Sequence, residues 1–384
     1  MTDIPNLQTS SASELREALR SKAVSASELC EASIARIEAL DGPINAVIVR
    51  DFDRARADAA KADKALASGD GGLLCGVPMT VKESFDLAGY PTTWGHKLDD
   101  PYIATEDAVI VKRLKAAGAV ILGKTNVPPA LADWQSDNPN YGRTNNPHDL
   151  TRSPGGSSGG SAAAIASGFS ALEVGTDIGG SVRIPAAFCG VFGLKTTYGI
   201  LSLAGHMPPH ADRFMRASPL SVAGPIGRTA PDLALAMKVI AGRDAMTPGG
   251  PLSFDEPTQK RPGDFRVLVI ADHPRAKADN SVRGALDDAA QQLEGDGATV
   301  ARASDLVPDL EQMHRRYQKM LQTIINRRAG SASRSIPAHE YMDLEDAQHL
   351  FRRQMAAIFE QFEIVLMPTF GTGAFPHTTE PDWK

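Results

Sequence analysis

The spacing of apolar positions changes several times along the chain. Leu29, Ile34 and Ile37 recur at helical spacing, and Ser11-x-x-Glu14 and Ser25-x-x-Glu28 form capping boxes, so residues 11–40 are expected to fold as one or two amphipathic helices. The alanine-rich stretch 51–68 reads as a further helix that stops at Gly69. The period then falls to two. Val77, Met79 and Val81 alternate with Pro78, Thr80 and Lys82, which predicts a strand with Thr80 and Lys82 on one face and Lys82 near its end. Residues 105–122 read as helix then strand, with Thr105 available as a cap, Gly118 as breaker and Ala119 to Leu122 as a short buried strand. The same step recurs from Ser161 through Ala171 to Val174. Further strands are expected at 265–270, 298–301 and 364–367, and helices at about 231–241, 281–294, 309–329 and 340–360. Residues 364–367, Ile-Val-Leu-Met, have the composition of a strand buried on both faces.

Strands that alternate with helices define an α/β protein with a largely covered sheet. The 384 residues allow either two domains or one large one, and one large domain is the expectation. Within it a helical N-terminal segment occupies 1–70, a core 71–245 and a more variable helical and strand part 264–384. The Pro/Gly-rich stretch 247–263 is a long surface connection between the last two. No internal repeat of solenoid period occurs.

Composition narrows the class without naming a chemistry. Hydrophobic residues at 42% and charged residues at 22% are those of a globular domain, not of a disordered chain. The net charge of −6 comes without a long basic run, so no nucleic-acid partner is expected. The first twenty residues lack the basic and apolar regions of a signal peptide, and no run of eighteen apolar residues offers a membrane span. Cys30, Cys75 and Cys189 are too few and too scattered for a disulfide framework or a zinc site. A cytoplasmic protein without metal or other cofactor is expected.

The stretch 153–195 carries the chemistry. Its glycines and serines have the composition of a linker, yet an alanine-rich helix and an apolar strand follow at once, so they sit inside a folded unit where backbone amides can approach a ligand. Ile178, Gly179, Gly180 and Ser181 could aim successive amides into one small space, the requirement of an oxyanion hole with a serine hydroxyl at its edge. A serine nucleophile needs a base. His206 and His210, in His-Met-Pro-Pro-His, cannot share a helix face and read as loop residues. The alternative is a lysine kept neutral by burial, acting directly or through a second serine, and Lys82 at its strand end fits. Residues 118–125, GAVILGKT, satisfy a phosphate-loop pattern formally, but the strand lies inside the motif and Val127-Pro128-Pro129 opposes a following helix, so nucleotide binding is not expected.

GGSSGGSAAA, followed by GTDIGGSVRIPAAFCGVFGLK, together with GVPMTVKESFD, resembles the amidase-signature family, strongly over about 11–241 and more faintly at 364–369. The resemblance implies a mixed central sheet covered by helices on both faces. It also implies hydrolysis of a small-molecule carboxylic amide through a covalent acyl-serine. Ser181 matches the family's nucleophile, Ser157 the bridging serine preceded by a cis peptide, and Lys82 the base. Ile178, Gly179 and Gly180 supply the oxyanion hole, Asp177 and Arg183 brace the loop as an ion pair, and Thr176 stands behind them. The glutaminase subunit of a tRNA-dependent amidotransferase belongs to the same family and is a second reading, although ALADWQSDNPNYGRTNNP, with Trp134 and Tyr141, looks more like stand-alone amidases. Family members usually continue past the point where this sequence stops. A shortened, inactive relative is therefore a third reading, and an uncovered strand at 364–367 would favour aggregation, a homodimer or low activity.

Overall fold

The fold is that of a computed structural model, which describes residues 5–97, 101–209, 211, 218–242, 244, 252, 254, 258–259, 261–328 and 335–379. Two compact units emerge, Met1–Leu252 with Ala374–Lys384, and Ser253–Gly373. The chain passes from one to the other between Leu252 and Ser253 and returns between Gly373 and Ala374; much of 247–263 lies outside the described residues.

In the first unit both N-terminal capping boxes form. Ser11 caps α1 (Ala12–Arg20) and Ser25 caps α2 (Ala26–Ile44), each hydroxyl accepting from the backbone N–H of the glutamate three residues on. After β1 (Val47–Arg50), helix α3 (Phe52–Ser68) ends at Gly69, whose φ of 81° is the left-handed conformation anticipated at that breaker. Next come β2 (Pro78–Lys82), α4 (Val109–Ala116) and β3 (Val120–Thr125). Helix α4 does not start from Thr105. The backbone is drawn aside first, Ala104 N–H donating to Tyr90 O and Ala108 N–H to Asp86 O, so Ala108 becomes the residue before the helix. Short strands β4 (Asp137–Asn138) and β5 (Gly142–Arg143) pair with each other. Then follow α5 (Gly159–Ala166), β6 (Leu172–Asp177), α6 (Arg183–Phe188), β7 (Phe192–Gly193), β8 (Val222–Gly227) and α7 (Ala230–Ile240).

The sheet runs in the order β1-β3-β2-β6-β8-β7. β3, β2 and β6 are parallel and the outer strands antiparallel, so the sheet is mixed. Every residue of β2, β3, β6 and β8 is buried. Since side chains alternate between faces, both faces of these strands are covered. Helix α5 contributes Ala162, Ala163, Ala164 and Ile165 to the core, all fully buried, and its small side chains let it lie close to the strands. Parallel β2, β3 and β6 bring Lys82, Thr125 and Asp177 to one end of the sheet, the carboxyl end where open α/β sheets bind ligands.

The second unit holds β9 (Arg266–Val269), α8 (Asn280–Gly295), β10 (Thr299–Ala301), α9 (Leu310–Arg328), α10 (Ala338–Phe359) and β11 (Ile364–Leu366). Its three-stranded parallel sheet has the order β10-β9-β11. β11 is half-buried at each position rather than buried on both faces, because as an edge strand it has only β9 for a neighbour among the described residues. No described helix is long and apolar enough to cross a membrane.

Candidate active site

Lys82 ends β2 and is wholly buried. Its Nζ reaches three hydroxyl oxygens, Ser157 Oγ at 2.7 Å, Ser158 Oγ at 2.9 Å and Thr176 Oγ1 at 2.9 Å. An ammonium donates to all three, whereas a neutral amine donates to two and accepts from the third, so this tetrahedral setting accommodates both protonation states. Burial pushes the lysine from 10.5 down to about 7, against the pull of Asp177, Glu173 and Glu83. The Gly156–Ser157 peptide is cis. Ser157 is the first serine of a segment that enters α5, whose seating against the sheet fixes the hydroxyl next to the amine.

The second arm is the turn that follows β6. Asp177, at the strand's end, gathers it up. Its carboxylate accepts from the N–H groups of Gly180 at 2.8 Å and Val182 at 3.1 Å, and from Arg183 through Nε at 3.0 Å and Nη2 at 2.9 Å. Burial alone would raise the Asp177 pKa, but the Arg183 guanidinium and these N–H groups outweigh it and hold the carboxyl below its ordinary value. Asp177 and Arg183 are thus an ion pair around which the loop is wound. The Asp177 side chain is fully buried and that of Arg183 is 45% exposed, which keeps the cation partly hydrated.

Ser181 lies inside this turn and is 5% exposed. Its carbonyl accepts from Ser158 N–H at 3.2 Å, which sets the two serine-bearing segments side by side. Among the described residues its hydroxyl makes no hydrogen bond, so the oxygen is presented to the adjoining space. One expectation changes. The N–H of Gly180 is held by Asp177 and so is not free for an oxyanion, whereas the N–H groups of Gly179 and Ser181 make no hydrogen bond among the described residues.

Thr176 touches the lysine directly rather than from behind. His206 packs in the interior against Phe85 and Trp94, with ring centroids 5.1 and 4.6 Å away, and is no part of the lysine cluster; His210 lies outside the described residues. In GAVILGKT the lysine turns inward. Lys124 Nζ donates to Pro91 O and to Thr92 Oγ1, and only a three-residue 3-10 turn, Pro129–Leu131, follows it.

Three contributors were not foreseen. Ser158 binds Lys82 as Ser157 does, and two adjacent serines give no pattern by which to choose between them. Glu173, fully buried and hydrogen-bonded to Thr80, is pushed up to about 8 by burial. Trp134 donates from its indole Nε1 to Gly179 O at 3.0 Å across 45 residues of sequence.

Gly156 shows how closely the site is packed. A Cβ there would meet Gln135 O at 2.3 Å and Asp133 O at 2.5 Å, both backbone atoms that cannot move aside. Gly156→Ala is expected to destabilise the fold by about 3 kcal/mol, read as a lowered midpoint in urea, because overpacking against backbone has no cheap relief. A midpoint unchanged from wild type would mean that the segment at 133–135 yields.

The amidase family model matches residues 28–322, more than half of the chain, and the chain belongs to this family. Among curated relatives it is 35% identical over 375 residues to AtzE of Pseudomonas sp. (strain ADP), a 1-carboxybiuret hydrolase subunit, covering 92% of this chain and 80% of the relative. It is 45% identical over 231 residues to a glutamyl-tRNA(Gln) amidotransferase subunit of Chromohalobacter salexigens, covering 60% of this chain and 46% of that protein. The chain thus spans about half the length of the amidotransferase relatives that it matches first, 46% and 51% for two of them. Among solved structures, a bacterial aryl acylamidase of the amidase signature family superposes with a TM-score of 0.76 at 27% identity, over 96% of this chain and 81% of the other. The 6-aminohexanoate cyclic dimer hydrolase, solved with its substrate, reaches 0.79 at 28% identity, over 93% and 78%.

Proposed function

We propose that the chain hydrolyses a carboxylic amide to an acid and an amine or ammonia through an ester at Ser181. The single observation that carries this reading is the buried, near-neutral amine of Lys82 hydrogen-bonded to Ser157 beside the unengaged hydroxyl of Ser181. Neutral Lys82 takes the Ser157 proton, Ser157 takes the Ser181 proton, and Ser181 Oγ attacks the amide carbon. The amides of Gly179 and Ser181 stabilise the oxyanion, and the proton returns to the departing nitrogen as the C–N bond breaks. Water then attacks the ester by the same relay in reverse. The Ser157–Ser181 hydrogen bond closes when substrate is bound, as catalytic contacts commonly do.

The substrate is a small amide held at the carboxyl end of the parallel strands. A cytoplasmic setting belongs to the same reading, supported by three free, buried cysteines. Release of acid from a panel of aryl, alkyl and amino-acid amides tests it: turnover that disappears in Ser181→Ala is expected, and no turnover of any amide by a protein whose Ser181 also resists phosphonylation would overturn it.

A second reading, an amide-hydrolysing chain that works with partners, draws on the relatives' names, since AtzE and the amidotransferase relative are both called subunits. Glutamine hydrolysis that appears only when an amidotransferase's other chains and tRNA are added would favour it. A homodimer is the simpler partner, checked by light scattering.

A further inference from the structure

We propose that Trp134 is a positioning residue for the oxyanion site, acting through one hydrogen bond to the Gly179–Gly180 peptide; this rests on the reading of Ser181 as nucleophile. The two ends of that peptide are held by different groups. Its oxygen accepts from Trp134 Nε1 at 3.0 Å and its N–H donates to Asp177 Oδ1 at 2.8 Å. A glycine stands on each side, so sterics alone do little to resist rotation of the peptide about its flanking bonds. Gly180 sits at φ 99°, a conformation that β-carbon-bearing residues avoid, and a Cβ there would meet Ile184 Cδ1 at 2.5 Å. A side chain cannot lock this turn, and hydrogen bonds must do so. Rotation would exchange the places of the peptide's oxygen and its N–H, setting a carbonyl oxygen against the Asp177 carboxylate and obliging the turn that carries the Gly179 and Ser181 amides to readjust.

Trp134 is itself firmly seated. Its carbonyl accepts from Ser153 Oγ at 3.1 Å. The Gln135 side chain is paired twice with Thr378, donating to Thr378 O at 2.9 Å and accepting from Thr378 N–H at 3.0 Å. Ser136 Oγ accepts from Gly159 N–H at 3.1 Å and donates to Gly155 O at 3.3 Å. Segment 134–136 is therefore held on three successive residues, Trp134 and Ser136 by the serine-bearing run and Gln135 by Thr378, and the indole carries that rigidity across to the nucleophile turn. An aromatic ring without a ring N–H would fill the same volume and leave the peptide held at one end.

The test is the inactivation of the full chain by a fluorophosphonate, whose reaction at a serine builds negative charge on the phosphoryl oxygen as amide attack does on the carbonyl oxygen. Trp134→Phe is expected to lower the limiting rate of inactivation roughly ten- to hundredfold while the reagent's half-saturating concentration stays within about twofold. The thermal midpoint should stay close to that of wild type. Trp134 replaced by 3-benzothienylalanine, which keeps the bicyclic shape and lacks only the N–H, should behave alike and guards against a packing defect in the phenylalanine variant. An unchanged limiting rate in both variants, or a change confined to half-saturation, would overturn the proposal, the latter by making Trp134 merely a wall of the pocket. A wild-type protein that carries no adduct at Ser181 would instead sink the nucleophile reading beneath it.

Discussion

Ser181→Ala is expected to lower kcat for amide hydrolysis about 10⁴-fold or more, the scale on which removing a nucleophile from a cooperating set acts. The fold should persist, because the Ser181 hydroxyl makes no hydrogen bond among the described residues and the turn is held by Asp177 through backbone N–H groups. Stopped assays with long incubation against wild type check the loss. Activity within tenfold of wild type would mean that another group attacks the carbonyl.

The second large effect belongs to Lys82. Lys82→Ala is expected to remove roughly 10³-fold or more of the activity near pH 7, since among the described residues Lys82 supplies the amine hydrogen-bonded to Ser157. In the wild-type protein the rate should climb with pH through about 7, where the buried amine loses its proton, and level off above. A pH–rate profile measures this, and a flat profile from pH 5 to 9 would contradict the assignment. The same shift has a stability consequence. Lys82 binds a proton less readily in the folded chain, so between about 7 and 10.5 the unfolded chain holds more protons and stability rises with pH. Below that window the full ionisation cost is present, and above it the cost has vanished. Lys82→Met, which cannot be charged, should therefore gain on wild type at pH 7 by on the order of 4 kcal/mol relative to their difference near pH 10.5. Urea melts at the two pH values compare them. An advantage that grows with pH would reverse the sign and dismiss a depressed lysine.

Much of this geometry was readable where signals were local. The capping boxes at Ser11 and Ser25, the stop at Gly69 and the two-residue alternation ending at Lys82 depend on neighbours within a few positions, and each formed where expected. β8 escaped notice because Val222–Gly227 contains Pro225 and two glycines, residues that weaken a strand; it forms because six successive residues pair with β6, and Pro225 contributes its carbonyl to Leu194 N–H. Tertiary pairing overrode propensity there. β1 is four residues long and follows the left-handed Asn45, too short to announce itself. The site was legible as motifs but not as contacts. Nothing local tells Ser158 from Ser157, or joins Trp134 to Gly179, since those hydrogen bonds span loops brought together only by the sheet.

The most direct measurement is to trap the covalent intermediate and locate it. After reaction with a fluorophosphonate, or with a slowly deacylating ester, the digested protein should yield a single modified peptide with the added mass on Ser181. The adduct should be absent from Ser181→Ala and should form faster as the pH is raised through about 7. Modification of Ser157 or Ser158 in its place, or labelling that persists in Ser181→Ala, would contradict the assignment of Ser181 as the nucleophile activated through Ser157 and Lys82.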